Sequence, residues 1–303
     1  MTFIKRPLLI IGGTGLLGLA LIKRRPGKLK IIPTYAHYEP KKGCDQLKFA
    51  KLDITHKNEV NLFITKLNPY VVIHAASMGN VDFCEKNKQT AYQVNVKGTE
   101  NIISACNKTN SKIIFISSNA VFSGNEAPYS ETSQVSPINY YGKTKVLGEE
   151  IIKQSKLNYT IVRLVLMYGW NYKKERSNAV TWLLKKLKNK EKVKIVNDTY
   201  VNPVLNIQAA DAIWRIVTLD KKGLFHVGGA ERTNRYDFAR LTADVFKYDK
   251  NLIKPVSSNY FQDITKRMHD TTYNTQKMEK ELKIRPLTLR EGLTYMKINY
   301  ENI

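Results

Sequence analysis

A chain of 303 residues with 43% hydrophobic content can bury a core for one large or two unequal domains, so a folded protein is expected and disorder is not. The formal charge is +23, but the lysines scatter through every predicted helix and loop, so it reads as a solvated surface and no nucleic-acid partner is expected; steering of an anionic substrate and cofactor is the alternative. Cys44, Cys84 and Cys106 form no Cys-x-x-Cys pair and His37, His56, His74, His226 and His269 no ligand-spaced cluster, so neither disulfides nor a metal site is expected and a reducing compartment is.

Lys5 and Arg6 precede an apolar run over 8–22 that superficially resembles a signal sequence. The run is broken by Gly12, Gly13, Gly15 and Gly18, ends in Lys23-Arg24-Arg25 without a small-residue cleavage site, and is too short to span a bilayer. It reads as strand 8–11, a turn, and helix 15–25. No later segment is apolar for long enough to cross a membrane, so a cytoplasmic protein with no membrane partner is expected. Strands follow at 29–34, 48–53, 70–74, 112–117 and 159–164, with helical periodicity at 58–67, 89–107 and 140–155 between them. This alternation predicts an α/β protein with a Rossmann-type, doubly wound parallel sheet over residues 1–168.

Beyond about Tyr168 the pattern changes to longer loops and isolated helices at 180–189, 208–219, 236–246, 274–282 and 289–297. Residues 169–303 are expected to form a smaller C-terminal substrate-binding lobe, with some strands and helices returning to the sheet. The site is expected in the cleft between the two.

Gly12, Gly13, Thr14, Gly15, Leu16, Leu17 and Gly18 lie between an apolar strand and an apolar helix. In that setting Gly12 permits the tight turn, Gly15 lets backbone approach a pyrophosphate at the helix start, and Gly18 lets helix pack on strand. The end of the second strand, Pro33-Thr34-Tyr35-Ala36-His37, carries no carboxylate to hold an adenosine ribose, and Lys41 and Lys42 follow. Together these favour NADPH, with NADH as the alternative. Asp53, beside Ile54, has two readings: a contact to the adenine amino group, or a helix-start cap before Thr55.

Tyr141 and Lys145 stand four apart at the start of the helix 140–155 and therefore on one face. A phenol with a pKa of about 10 is a poor proton donor and acceptor near neutrality, and an adjacent ammonium favours its ionised form. Among 17 tyrosines such a spacing arises by chance, so the weight rests on order and context. Ser118 ends the strand upstream, where a hydroxyl would hold a substrate carbonyl; alone, it reads as a turn former.

Glycine loop, strand-end serine and Tyr-x-x-x-Lys, in that order, resemble the extended short-chain dehydrogenase/reductase family. The likeness extends through Leu52-Asp53-Ile54-Thr55, His74-Ala75-Ala76, Val94-Asn95-Val96-Lys97-Gly98, Ser117-Ser118-Asn119-Ala120, Gly223-Leu224-Phe225-His226 and Asn274-Thr275-Gln276-Lys277. It implies that Tyr141 donates a proton as hydride moves from the nicotinamide to a C4 ketone of a nucleotide-linked 6-deoxy sugar, dTDP-4-dehydro-L-rhamnose being the nearest fit. It further implies that Lys145 binds the nicotinamide ribose and Ser118 the carbonyl. Ala75 and Ala76 would line the cofactor, Asn95 would support the site, and Arg267, with Asn119, would meet the substrate, the arginine at its diphosphate.

Three places in the chain, five residues in all, depart from the reductases of this family. Ser118-Asn119-Ala120 stands where they carry Thr-Asp-Tyr, Leu166 where they carry tryptophan, and Met268 where they carry proline. Asn119-Ala120 lacks the acid and base of a dehydratase. A sugar-nucleotide epimerase and a non-catalytic NADP-binding regulatory subunit, like the β subunit of methionine adenosyltransferase, are the competing readings; homodimer formation is left open.

Overall fold

The computed structural model describes residues 6–27, 29–37, 39–40, 47–171, 177–261 and 265–300. Lys41, Lys42 and Cys44 lie outside them.

Seven parallel strands form the body of the protein: β1 (Leu8–Ile11), β2 (Ile31–Tyr35), β3 (Ala50–Lys51), β4 (Val71–His74), β5 (Lys112–Ser118), β6 (Tyr159–Leu164) and β7 (Gly223–Val227). Their spatial order is β7-β6-β5-β4-β1-β2-β3. The order reverses between β1 and β4, which opens a crevice beyond their C-terminal ends. β1 is apolar and buried along its whole length because both faces of the sheet are covered. Leu8 and Ile10 join the core under α1 (Leu16–Lys23), while Leu9 and Ile11 join the core under α2 (Lys57–Leu67). That alternation is the two-residue period of a strand, with half of each strand committed to each layer.

The 89–107 region is not one helix. A short helix over Lys88–Tyr92 passes into a π turn, Gln93–Lys97, before α4 (Gly98–Thr109). A π turn admits one extra residue and swings side chains off the helical spacing, which hydrophobic periodicity does not register. The sequence reading also lacked α3 (Val81–Lys86), capped by the Asn80 side chain, which accepts from Phe83 N–H.

After α5 (Tyr140–Gln154) and β6, the chain enters the lobe at α6 (Ala179–Lys188), returns as α7 (Asn206–Thr218) and β7, then leaves again for α8 (Arg235–Phe246). The Trp214 indole on α7 donates to the Leu21 carbonyl on α1 at 2.9 Å, so α7 belongs to the sheet's helical layer. The lobe has two small cores, one joining α8 to α10 (Leu289–Ile298), the other joining α6 and α8 to a parallel pair, Val193–Val196 and Ile253–Val256. Helix α9 (Gln276–Leu282) packs on the main core. No helix among the described residues is long and apolar enough to cross a membrane.

Candidate active site

The glycine loop is fixed by close approaches of backbone to backbone. Gly12 has φ +86°, and a Cβ there would lie 2.7 Å from the Ala76 nitrogen; one at Gly18 would lie 2.3 Å from the Gly12 oxygen. Ala75 N–H donates to the Ile11 carbonyl at 2.9 Å, and Gly13 N–H to the Thr34 carbonyl at 2.8 Å, so β1, β2 and β4 all grip the loop. At Gly15 an added Cβ would meet only the Gly12 oxygen, at 3.5 Å. Gly15 opens α1 without a side-chain cap, so the first N–H groups, near Thr14, Leu16 and Leu17, face a start that a phosphate group fits.

Asp53 accepts from the Thr55 N–H at 2.9 Å and hydroxyl at 2.8 Å. Partial burial opposes its ionisation, yet these two bonds hold the carboxyl below its usual range. The geometry is a local turn ahead of α2, whose cap position is His56. Ile54 is buried against Gly98, and its carbonyl accepts from Asn101 at 2.9 Å.

Helix α5 begins at Asn139, whose side chain accepts from Gly142 N–H at 2.9 Å. Tyr141 is half-buried and Lys145 buried. The Lys145 ammonium donates to the Ser77 hydroxyl at 3.5 Å and lies 4.8 Å from the centre of the Phe115 ring. Burial pushes its pKa down to about 8, with Glu149, one turn further along, opposing the shift. Glu149 is itself buried and accepts from Ser117 at 2.6 Å and from both Nε and Nη2 of Arg163 at 2.8 and 2.7 Å.

Asn95, turned inward by the π turn, ties three elements together. Its Oδ1 accepts from the Ser77 hydroxyl at 3.1 Å and from Met78 N–H at 2.8 Å, and its Nδ2 donates to Thr144 Oγ1 at 3.0 Å. Ser118 closes β5. Its hydroxyl accepts from Ala120 N–H and donates to Asn119 Oδ1, both at 3.2 Å, while Asn119 Nδ2 donates to Thr271 Oγ1 at 2.7 Å. The start of α5 presses on the same turn, since a Cβ at Gly142 would lie 2.1 Å from the Ala120 oxygen.

Arg267 is exposed and paired with Asp82 of α3 at 2.7 Å. Its neighbours pass the start of α5: Asn139 Nδ2 donates to the Lys266 carbonyl at 3.4 Å and to Met268 Sδ at 3.6 Å. Leu166 is half-buried at the edge of the main core. The sequence reading missed Ser77, Thr144, Glu149, Asp82 and Thr271. Glu149 alone carried a signal, its place four residues after Lys145; the others meet the site through contacts distant along the chain.

The family described as the RmlD substrate binding domain matches residues 6–301. The chain belongs to that family. Other members and solved structures place this RmlD-family chain between two kinds of relative. It is 29% identical over 299 residues to dTDP-4-dehydrorhamnose reductase of Aggregatibacter actinomycetemcomitans, covering 94% of this chain and 96% of that one. It is 30% identical over 264 residues to methionine adenosyltransferase 2 subunit beta of Rattus norvegicus, covering 84% and 76%. A crystal structure of dTDP-4-dehydrorhamnose reductase from Bacillus anthracis in complex with NADP superposes with a TM-score of 0.86 at 26% identity, covering 97% of this chain and 99% of that one. This RmlD-family fold is shared by UDP-glucose 4-epimerase of Thermus thermophilus, TM-score 0.84 at 17% identity over 96% of this chain and 97% of that one.

Proposed function

We propose that this protein reduces the C4 ketone of a nucleotide-linked 6-deoxy sugar with NADPH, dTDP-4-dehydro-L-rhamnose being the substrate that fits its relatives best. The observation that carries the reading is the buried Lys145 ammonium, one helical turn from Tyr141 and bonded to Ser77, just beyond the Ala75-Ala76 segment that packs on the glycine loop. The uncapped start of α1 and the open face of Gly15 suit the cofactor's pyrophosphate, and Ala75 and Ala76 its flank. The NADP complex of the Bacillus anthracis relative supports NADPH, and NADH stays the alternative. Bound there, the cofactor would supply the hydride.

The chain's own residues supply position and proton. Ser118 offers a hydroxyl to the carbonyl oxygen, and Tyr141 gives that oxygen its proton as the C4 carbon becomes tetrahedral. The charge on Lys145 stabilises the phenolate left behind, and water reprotonates it. Asn119, which accepts from Ser118, would meet the sugar beside it.

A second reading follows from the likeness to methionine adenosyltransferase subunit beta: a cofactor-binding regulatory subunit that turns nothing over. The two are separated by incubating the purified chain with NADPH and dTDP-4-dehydro-L-rhamnose. Stoichiometric NADPH oxidation with formation of the 4-hydroxy sugar supports the reductase. Tight NADPH binding with no oxidation sinks it in favour of the regulatory subunit, and interconversion of sugar epimers without net oxidation points to an epimerase.

A further inference from the structure

Behind the strand-end serine, three rings meet at the edge of the sheet. Tyr273 lies against His226 of β7, ring centres 4.0 Å apart, and edge-on to Phe122 at 6.1 Å, while the Arg163 guanidinium of β6 sits 5.1 Å from the centre of Phe122. The chain around Tyr273 is strand-like. It bridges in parallel to Tyr129, with Tyr129 N–H donating to the Thr272 carbonyl at 2.8 Å and Asn274 N–H to the Tyr129 carbonyl at 2.9 Å. Side chains two apart in such backbone project to one side, so Tyr273 follows Thr271, whose hydroxyl accepts from Asn119 next to Ser118.

On its other side the ring reaches α5 through a chain of bonded groups. His226 donates from Nδ1 to the Tyr129 carbonyl at 3.1 Å, which leaves Nε2 to accept from Arg163 at 3.4 Å, and Arg163 holds Glu149 of α5. Tyr141, Lys145 and Glu149 follow at four-residue steps along one face of that helix, whose start packs through Gly142 on the Ala120 carbonyl. Tyr273 is therefore bracketed between the serine turn and the helix face that carries Tyr141.

The hydroxyl of Tyr273 is the unsatisfied atom of this assembly. The residue is 3% exposed, and no described residue bonds its oxygen. The charged groups that bear on that oxygen are Arg163, Glu149, Tyr141 and Glu131; His226, flat against the ring, is kept neutral by burial, which pushes its pKa down to about 3. Burial first, opposed by Arg163 and joined by Glu149, Tyr141 and Glu131, raises the Tyr273 pKa well above the ordinary phenol range, so the group keeps its proton while Tyr141 ionises. A buried donor without an acceptor costs stability. Turnover creates an acceptor close by, the phenolate oxygen of Tyr141.

We propose that the Tyr273 hydroxyl donates a hydrogen bond to the oxygen of Tyr141 once that oxygen has given up its proton, so that a second phenol shares with Lys145 the charge of the first. This rests on the reductase reading above. No proton leaves Tyr273. A fixed donor aimed at an oxygen where charge develops needs no reorganisation during the reaction.

The test is a phenolate absorbance titration of the NADP-loaded chain, for wild type and Tyr273→Phe, each with and without Tyr141→Phe so that the difference isolates Tyr141. In Tyr273→Phe, Tyr141 should ionise about tenfold less readily, its titration moving to higher pH by about one unit. Turnover of NADPH with dTDP-4-dehydro-L-rhamnose should fall about tenfold, with the KM for NADPH unchanged. The unfolding temperature should equal or exceed that of wild type, since the lost hydroxyl leaves no partner behind. A Tyr141 titration that is the same with and without the Tyr273 hydroxyl overturns the proposal, whatever the turnover. A wild type that oxidises no NADPH sinks the reductase reading, and the titration still decides whether the two phenols are bonded. If Tyr273→Phe does not fold, the hydroxyl is structural and the proposal falls.

Discussion

Asn95 and Thr144 are joined at 3.0 Å across the protein, from a π turn on one side to the residue before Lys145 on the other. Through the same amide, Asn95 also holds Ser77, which accepts from Lys145. The lysine is thus positioned from both its helix and its hydrogen-bond partner by a single buried side chain. Asn95→Ala should lose about 1–3 kcal/mol of stability, the cost of leaving Met78 N–H and its neighbours unpaired. It should also lower kcat more than it raises the KM for NADPH. Thermal unfolding and steady-state kinetics check this; an unchanged kcat would confine Asn95 to folding.

Tyr141→Phe removes only the hydroxyl. NADPH affinity should stay within about twofold of wild type while turnover falls by about 10²- to 10⁴-fold. Single-turnover NADPH oxidation is the measurement, and near-normal turnover would remove Tyr141 from the mechanism.

The Lys145 pKa is lowered from 10.5 to about 8, so the folded protein sheds this proton earlier than the unfolded chain does. Between those values the unfolded chain binds more protons, and the group's contribution to stability rises with pH. Activity should move the opposite way, falling as pH passes about 8, because the charge that favours the phenolate is lost. A pH series of turnover beside one of unfolding temperature tests the pair, and a flat activity profile to pH 10 would contradict it.

Gly12 and Gly15 should respond differently to alanine. At Gly12 the positive φ and the Ala76 backbone leave no room, so Gly12→Ala should destabilise by more than about 1 kcal/mol and lose the cofactor. At Gly15, with φ −71° and open space in front, Gly15→Ala should keep the wild-type unfolding temperature and still weaken NADPH binding. Equal NADPH affinity in Gly15→Ala and wild type would place the pyrophosphate elsewhere.

Glu149→Gln should cost about 3–5 kcal/mol, because it leaves the buried Arg163 cation without its carboxylate. Denaturant titration measures it. A loss below 1 kcal/mol would mean that the pair contributes little to folding.

The sequence by itself determined the parallel sheet, the glycine loop and the placing of Tyr141 and Lys145 on one helix, because each is a local matter of period, turn or helical spacing. Alternating apolar runs specify strands buried on both faces, and residues four apart share a helix face whatever the rest of the chain does. The tertiary structure alone decided how Asn95, Ser77 and Thr144 surround the lysine, and that the return to the sheet expected from the sequence is made by α7 and β7. It also decided that Asn119 and Thr271, 152 positions apart, meet beside Ser118. Such contacts depend on strand register and on a π turn, and neither leaves a periodic trace in the residues that form it.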